Sequence, residues 1–440
     1  MKLRELMIAV VSISFILISA RGHSEQMSLD ECIDYAKKNS PYLKASFQKV
    51  SSAGFSVKEA ESGKKPRFTL SETVTSTDNP TYSFMSVLDQ QRFEPSMMAT
   101  INDPGSTVNF NTKLKLEQSL YTGGYLKSGI NAAKLAGEAA GYEYDREIRS
   151  HVIKIKESFI RINTTKSTLS TVEKSIETAK AYSELARNLF EGGLTVESDY
   201  LSAQVRLQEL NEMRINLRNG VELSLAGLQM LIGREYQGDF DISVYETDDM
   251  KEVKNIEYYL ESATSNRTDL KSLDKAIEAK KAQVKMERAS RKPGIGAFAE
   301  MNLNNSAFAD NDGESWFAGV SVSYPLSDGG YSGSRISRSE AGLSELEWNR
   351  TQLKQMVELE VRQSYLNMQA AKARVESAEK AVLNAEESYR ITRNRYENEL
   401  AINVEMLNGE RNLTDAKTRL LNAGMEYWLS LERLLYVAGL

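Results

Sequence analysis

The chain contains itself twice. A shift of 206 positions (326 − 120) lays Leu120, Gly123, Gly124, Tyr125, Ser128 and Ile130 on Leu326, Gly329, Gly330, Tyr331, Ser334 and Ile336. Without a gap, the same shift carries Arg187, Asn188, Glu191, Leu194, Leu201, Leu207, Leu225, Leu228 and Gly233 onto Arg393, Asn394, Glu397, Leu400, Leu407, Leu413, Leu431, Leu434 and Gly439. Upstream, a shift of 227 (293 − 66) lays Asn39, Leu43, Lys44, Val57, Lys58, Lys65 and Pro66 on Asn266, Leu270, Lys271, Val284, Lys285, Lys292 and Pro293. A register held this long means one structural unit built twice. Each copy reads as helix, strand hairpin, Gly-Gly corner, one very long helix, a short break, and a second helix ending at glycine. The shifts differ because the first copy carries a longer insert between its proline and its corner.

Residues 1–26 have the pattern of an address. Lys2 and Arg4 precede an apolar run from Leu6 to Ile18, and Ile18-Ser19-Ala20 leaves a small residue at a cleavage point. That is a secretory signal peptide followed by a flexible start; the apolar run is shorter than the ~20 residues a spanning helix needs. The organisation that follows is 27–233 as the first repeat (hairpin 67–120, helix pair 125–232), 234–253 as a linker, and 254–440 as the second repeat (hairpin 293–326, helix pair 331–438). With 1 cysteine in the chain an internal disulfide is excluded, and Cys32 is expected to fill a small buried helix position. The 2 histidines, His23 and His151, supply neither a metal site nor a Ser/His triad, so no cofactor or metal is expected. A formal charge of −6 gives no reason to expect nucleic acid as a partner, since that needs clustered Lys and Arg.

Ser28 with Glu31 three positions on is a capping box, opening a helical stretch to Gly63 that Asn39-Ser40-Pro41 interrupts. After Pro66, Phe68, Leu70 and Val74 alternate with Thr69, Ser71, Thr73 and Thr75. The return strand sets Val108, Phe110, Leu114 and Leu116 against Asn109, Asn111, Lys113, Lys115 and Glu117. In the second copy Ile295, Ala297, Ala299 and Met301 share a side, and Trp316, Ala318, Val320, Val322 and Tyr324 return. Period two with one apolar face reads as a half-buried strand. Four such strands could form a soluble sheet packed on the helices. They also have the length of about 9–11 residues that crosses a bilayer when tilted, and in hydrocarbon a sheet must close on itself. Because the smallest single-chain barrels have about eight strands, a membrane reading requires an oligomer. Trp316 and Tyr324 would then suit an aromatic girdle, with ordinary packing the alternative.

The first long helix is expected over about 125–190, a rod near 100 Å at ~1.5 Å per residue. Ile148, Val152, Ile155, Phe159 and Ile162 form a coiled-coil seam. Its partner runs through Leu210, Met213 and Leu217 to Ile232. The second copy repeats this from Tyr331 to about Glu397 and from Ile402 to Val437, with Leu421, Met425, Trp428, Leu431 and Leu435 on one side.

The signal peptide, the doubled unit, Asn39-Ser40-Pro41 and Asn266-Arg267-Thr268-Asp269-Leu270 with the later Pro66 and Pro293, and the corners Leu120-Tyr121-Thr122-Gly123-Gly124 and Pro325-Leu326-Ser327-Asp328-Gly329-Gly330 together resemble the TolC-type outer-membrane efflux proteins. The insert from Asn79-Pro80-Thr81-Tyr82 through Leu88, Gln90 and Phe93 resembles the external loop of some members. The resemblance implies a mainly α protein with membrane β: a homotrimer whose chains each give four strands to a 12-stranded β-barrel continuous with an α-helical barrel. It implies a non-enzymatic export duct in the outer membrane, in contact with its lipid and extending into the periplasm. Its partners would be a periplasmic adaptor (membrane fusion) protein and an inner-membrane pump of RND, ABC or MFS type, as in efflux or type I secretion.

The resemblance also implies a gate at the helix tips. Gly192, Gly193, Leu194 and Thr195 on one tip and Asn398, Glu399, Leu400 and Ala401 on the other would contact the adaptor. Gly193 and Leu194 keep the family's glycine and leucine. Glu399 replaces the usual glycine, and Ala401 stands where some relatives carry a gate-locking arginine, so that lock is not carried over. Asp199 and Glu405 are equivalent under the shift (405 − 199 = 206) and match a family aspartate; Asn408 stands where some relatives carry a second acid. Glu405, Asp199, Asn408 and Tyr396 are thus the expected pore and gate residues, and a ring of Glu405 would attract cations. From the residues alone each carboxylate is an ordinary solvated helix charge. A periplasmic coiled-coil protein without a pore is the alternative; a secreted hydrolase lacks a nucleophile and base.

Overall fold

The computed structural model describes residues 26–245, 253–308, 310, 313–398 and 400–440. The leader up to residue 25, part of the linker, and Glu399 lie outside the described residues. In chain order the elements are β1 (Gln26–Met27), α1 (Leu29–Asn39), α2 (Pro41–Ser62), β2 (Arg67–Thr77), α3 (Pro80–Asp89), a 3-10 turn (Pro95–Thr100), β3 (Thr107–Tyr121), α4 (Tyr125–Glu191), α5 (Glu197–Ile232), β4 (Asp241–Ile242), α6 (Ile256–Asn266), α7 (Thr268–Ala289), β5 (Gly294–Asn305), β6 (Gly313–Ser323), α8 (Tyr331–Glu397) and α9 (Asn403–Val437). The duplication is legible in the boundaries. α1 and α2 recur as α6 and α7 at 227 (256 − 29, 289 − 62), and α4 recurs as α8 at 206 (331 − 125, 397 − 191).

Local chemistry sets these boundaries. Ser28 Oγ accepts from Glu31 N at 3.3 Å while the Glu31 carboxylate accepts from Ser28 N at 2.8 Å, the reciprocal pattern of a capping box. Ser40 leaves the helical region and α2 starts on Pro41, where the missing N–H has no intrahelical partner to lose. Both Gly-Gly corners are left-handed, with φ of 64° and 95° at Gly123 and Gly124 and of 62° and 88° at Gly329 and Gly330. Only glycine occupies such a pair without strain.

The chain divides into two compact units, each drawn from both copies. One comprises 26–47, Tyr144–Thr268 and Lys354–Leu440; the other comprises Gln48–Glu143 and Asp269–Leu353. The first has its main core where α1 lies on α4 and α5. Ile155, Phe159 and Ile162 of the expected seam are fully buried against Cys32, Ile33, Leu228 and Ile232, and β1 and β4 close it with Met27 and Ile242. Burial, its largest influence, pushes the Cys32 thiol up to about 11, as expected of a packed rather than a reactive cysteine. His151 is a packing residue: its ring stacks on Tyr42 and Nε2 lies 2.8 Å from the Leu231 carbonyl, while burial lowers its pKa.

One expected stripe is displaced. On α9 only Leu431 of the set Leu421, Met425, Trp428, Leu431 and Leu435 is fully buried, and the buried line runs through Ala423, Tyr427, Leu431 and Leu434. That side packs on α6, whose Tyr259 neighbours Tyr427.

α5 ends at Gly233 in the left-handed region (φ 78°), and a Cβ there would lie 2.7 Å from the Asn39 carbonyl oxygen. Its copy Gly439 meets Asn266, the copy of Asn39, at 3.1 Å. Gly233→Ala should therefore destabilise this unit by at least the ~1–3 kcal/mol of a forced backbone conformation. Gly439→Ala should cost less; thermal melts of the two variants read the difference.

The second unit is built on one antiparallel sheet of order β2-β3-β5-β6. Pairing of β3 with β5 joins the two copies, through a bulge between Ser119 and Tyr121. The register aligns Leu70, Leu114, Met301 and Trp316 in one row and Phe68, Leu116, Ala299 and Ala318 in the next. The opposite face carries Lys113 beside Asn302 and Lys115 beside Glu300, with Lys113 and Lys115 3.6 and 3.7 Å from the Glu300 carboxylate. The expected half-burial is met on β5 and along much of β3 but not on β2 and β6. Leu70 is 71% and Trp316 78% exposed, because no element among the described residues covers the apolar face there. The insert expected as a loop contains α3, since Asn79 caps it by accepting from Thr81 N at 3.1 Å and Pro80 occupies the first turn.

Candidate functional site

The two helix tips are built alike. Leu194 N donates to the Leu189 carbonyl at 2.8 Å, and 206 residues later Leu400 N donates to the Arg395 carbonyl at 2.8 Å. These six-residue closures satisfy carbonyls that a helix end would leave orphaned. Gly193 is left-handed at φ 69°. Gly192, Gly193, Leu194, Asn398 and Leu400 are exposed, and Thr195 and Ala401 are half-buried. Leu194 with Val196 and Leu400 with Ile402 place two uncovered apolar pairs at equivalent positions.

Just behind the tips, side chains tie α4 and α5 to α8 and α9. Tyr182, Ala186, Ala203 and Met406 are buried together, with Tyr389, Tyr396 and Leu407 around them. Tyr396 thus lies against Tyr182 at a ring distance of 5.5 Å. Tyr182 donates its hydroxyl to Asn403 Oδ1, and Asn403 Nδ2 donates to Asp199 Oδ1 at 3.1 Å. Burial, with the hydrogen bond to Tyr396 next, pushes the Tyr182 phenol well above the usual range. Asp199 also accepts from Thr195 Oγ1 at 2.5 Å, so its carboxylate is engaged within the chain. Glu405, its copy, is exposed, and Arg395 approaches it at 3.9 Å. Asn408 is exposed one turn on.

One turn further, Arg206 Nε donates to Glu410 Oε2 at 2.8 Å, with side chains 11% and 9% exposed. Thr414 donates to Glu410 Oε1 at 2.7 Å, and Ser175 lies 2.8 Å from Thr414. Arg206 and Arg411 also meet Glu209 at 3.2 and 2.9 Å. Sequence reasoning missed Tyr182, Asn403, Arg206 and Glu410. A signal existed: Asn403, Met406, Glu410 and Thr414 recur at steps of three and four, so a carboxylate falls on the packing face of α9. Among the described residues no group of three His, Cys, Asp or Glu could hold a metal, and no helix is long and apolar enough to cross a membrane, which says nothing of a β-barrel.

This architecture of a four-stranded sheet with doubled long helix pairs defines a class. The outer membrane efflux protein family model matches residues 32–234 and 259–440, and the chain belongs to that family. That places it among outer membrane efflux proteins rather than enzymes. Among curated proteins it is 22% identical over 261 residues to the alkaline protease secretion protein AprF of Pseudomonas aeruginosa, covering 58% of this chain and 54% of that protein. The chain thus spans about half the length of that relative. Its fold is similar to the outer membrane protein VceC of Vibrio cholerae (TM-score 0.77, 17% identity, 93% of this chain and 96% of that one). It is also similar to the Campylobacter jejuni CmeC outer membrane channel (TM-score 0.77, 16% identity, 93% and 85%).

Proposed function

We propose that three copies of this chain form one export duct, a 12-stranded barrel in the outer membrane continued by a helical barrel in the periplasm. The observation that carries this is the sheet. Among the described residues its edge strands β2 and β6 have no outer partner and its apolar face is largely uncovered. In hydrocarbon both defects vanish only if β2 of one copy pairs with β6 of the next. The apolar rows then face lipid, Trp316 and Tyr324 mark the two ends of β6 for an aromatic girdle, and the Lys113, Lys115 and Glu300 face lines water. Exposed Ile215, Leu223 and Met230 on α5 and Leu359 and Leu366 on α8 recur at steps of seven or eight, one helix face each, and suit contacts between copies.

The tips then form the gate. Their uncovered Leu194, Val196, Leu400 and Ile402 offer an apolar surface to an adaptor, with Gly192, Gly193, Thr195, Asn398 and Ala401 beside it. The inner-membrane partner would be a pump of RND, ABC or MFS type, and the kinship to a protease secretion protein makes a polypeptide one candidate cargo. Glu405 and Asn408 are the exposed candidates for the pore lining. Asp199 and Tyr396 act as ties between the two helix pairs.

Purified protein in a planar bilayer should give stable conductance steps whose cation preference falls several-fold in Glu405→Gln. Steps indifferent to that substitution would leave the duct and remove Glu405 from its lining. Absence of conductance from a species that sediments as a soluble monomer would overturn the duct.

A further inference from the structure

The segment between β2 and β3, residues 78–106, folds back onto the sheet. Ser83 is buried against Thr107, with its hydroxyl on the Thr107 hydroxyl. Gln90, 1% exposed, donates to the Val108 carbonyl at 2.8 Å, to Asn109 Oδ1 at 3.0 Å and to the Asn305 carbonyl at 3.3 Å. Asn109 and Asn111 in turn donate to Asn304 Oδ1, each at 2.9 Å. Gln91, the one non-glycine residue at positive φ (56°) among the described residues, turns the chain so that its side chain donates to the Glu314 carbonyl at 3.0 Å. At Gly313 a Cβ would lie 2.0 Å from the Asp89 carbonyl oxygen, so the insert presses on the backbone of β6.

These anchors decide which side the insert covers. Thr107, Asn109 and Asn111 alternate in step with Lys113 and Lys115, and the register places Asn304 with Asn111 on that same polar face. Asn109 and Asn304 are buried, although they lie on the face that water would otherwise reach. The insert thus crosses from β3 over β5 to β6 on the polar side, at the sheet end remote from the Gly-Gly corners. Phe84 packs edge-on against Phe93 at 5.5 Å within it, which makes it a folded element rather than a loose loop.

We propose that this insert is an inward-folded size filter at the outer mouth of the barrel, pinned by Gln90; this rests on the trimeric barrel reading above. Twelve strands spaced ~4.8 Å and tilted by ~40° enclose a backbone radius of roughly 12 Å. A helix with its side chains is ~10 Å across. Three copies of α3 laid over such a rim leave only a narrow axial opening. The insert then sets the largest solute that passes, independently of the helix tips.

The test places a thiol on the covered face, Asn302→Cys, in the full-length protein. The native thiol of Cys32 is fully buried and does not compete. Maleimides, one small and one carrying a long polyethylene glycol chain, are added outside intact cells. The small reagent should label Cys-substituted protein, and the large one should label it roughly tenfold more slowly or worse relative to free thiol. Gln90→Ala, Gly313→Ala, and replacement of 80–104 by a short Gly-Ser turn should each remove that size discrimination. Should Gly313→Ala not assemble, the other two suffice. Equal labelling by both reagents in the protein with an intact insert, or discrimination that survives the replacement, overturns the filter while leaving the barrel. No labelling even by the small reagent removes the barrel and the filter with it.

Discussion

Glu410→Ala should loosen the joint between the two helix pairs behind the tips, raising conductance and lowering the melting temperature together. The reason is the burial of the Arg206–Glu410 pair, at 2.8 Å and about one-tenth exposed. Removing one partner of a buried pair costs about 3–5 kcal/mol, because the other charge is left without compensation. Arg206 keeps Glu209 at 3.2 Å, whose exposed carboxylate places the expectation near the lower end. A loss of about 3 kcal/mol shifts a two-state equilibrium by about a hundredfold, enough to convert a mostly closed tip into one open much of the time. The double variant Arg206→Met with Glu410→Met should recover most of the melting temperature, since well-packed apolar replacements of a buried pair are often neutral. Single-channel recording with melting of the same samples checks both. A single variant with unchanged conductance and a lowered melting temperature would make the pair structural and remove it from the gate.

Phe159→Ala should produce the largest loss of stability in the helical unit. The ring is 1% exposed and packs with Ile155, Ile162, Leu228 and Ile232, and it meets Tyr245 edge-on at 6.2 Å. Phe-to-Ala changes at such positions cost about 3–5 kcal/mol, through lost transfer free energy and the cavity left behind. Leu223→Ala, at an exposed position of α5, should leave the fold of one chain almost unchanged and instead weaken assembly. Melting curves and sedimentation of the two variants separate these outcomes. A Phe159→Ala protein as stable as the parent would mean that this cluster is not the core of the unit.

The candidate site was legible in part. The helix breaks after Glu191 and Glu397 were legible, but that the tips matter came from the family resemblance, and the apolar pairs of Leu194 with Val196 and Leu400 with Ile402 were not singled out. The ties behind it were not legible. Arg206 and Glu410 are not related by the duplication, and nothing local to either residue tells that they meet. Their contact depends on the relative register of two helix pairs some 200 residues apart, which only packing decides. Asp199 shows the same limit. It is the sequence copy of Glu405, yet it bonds to Asn403 while Glu405 stays exposed, because equivalent positions in a duplicated chain need not meet equivalent neighbours.

By itself the sequence determined what is local or repeated. Helix boundaries follow from caps, prolines and the long apolar period; the corners follow from glycine pairs, which accept consecutive positive φ without strain; and the two shifts return in the element boundaries. Only the tertiary structure decided what is non-local: that β3 pairs with β5 to join the copies, that among the described residues the apolar face of β2 and β6 lies uncovered, and that the insert folds onto the polar face. The physical reason is range. Backbone preferences act over a few residues and are written in them, whereas strand order, face coverage and buried charge pairs depend on which distant surfaces come to exclude water together.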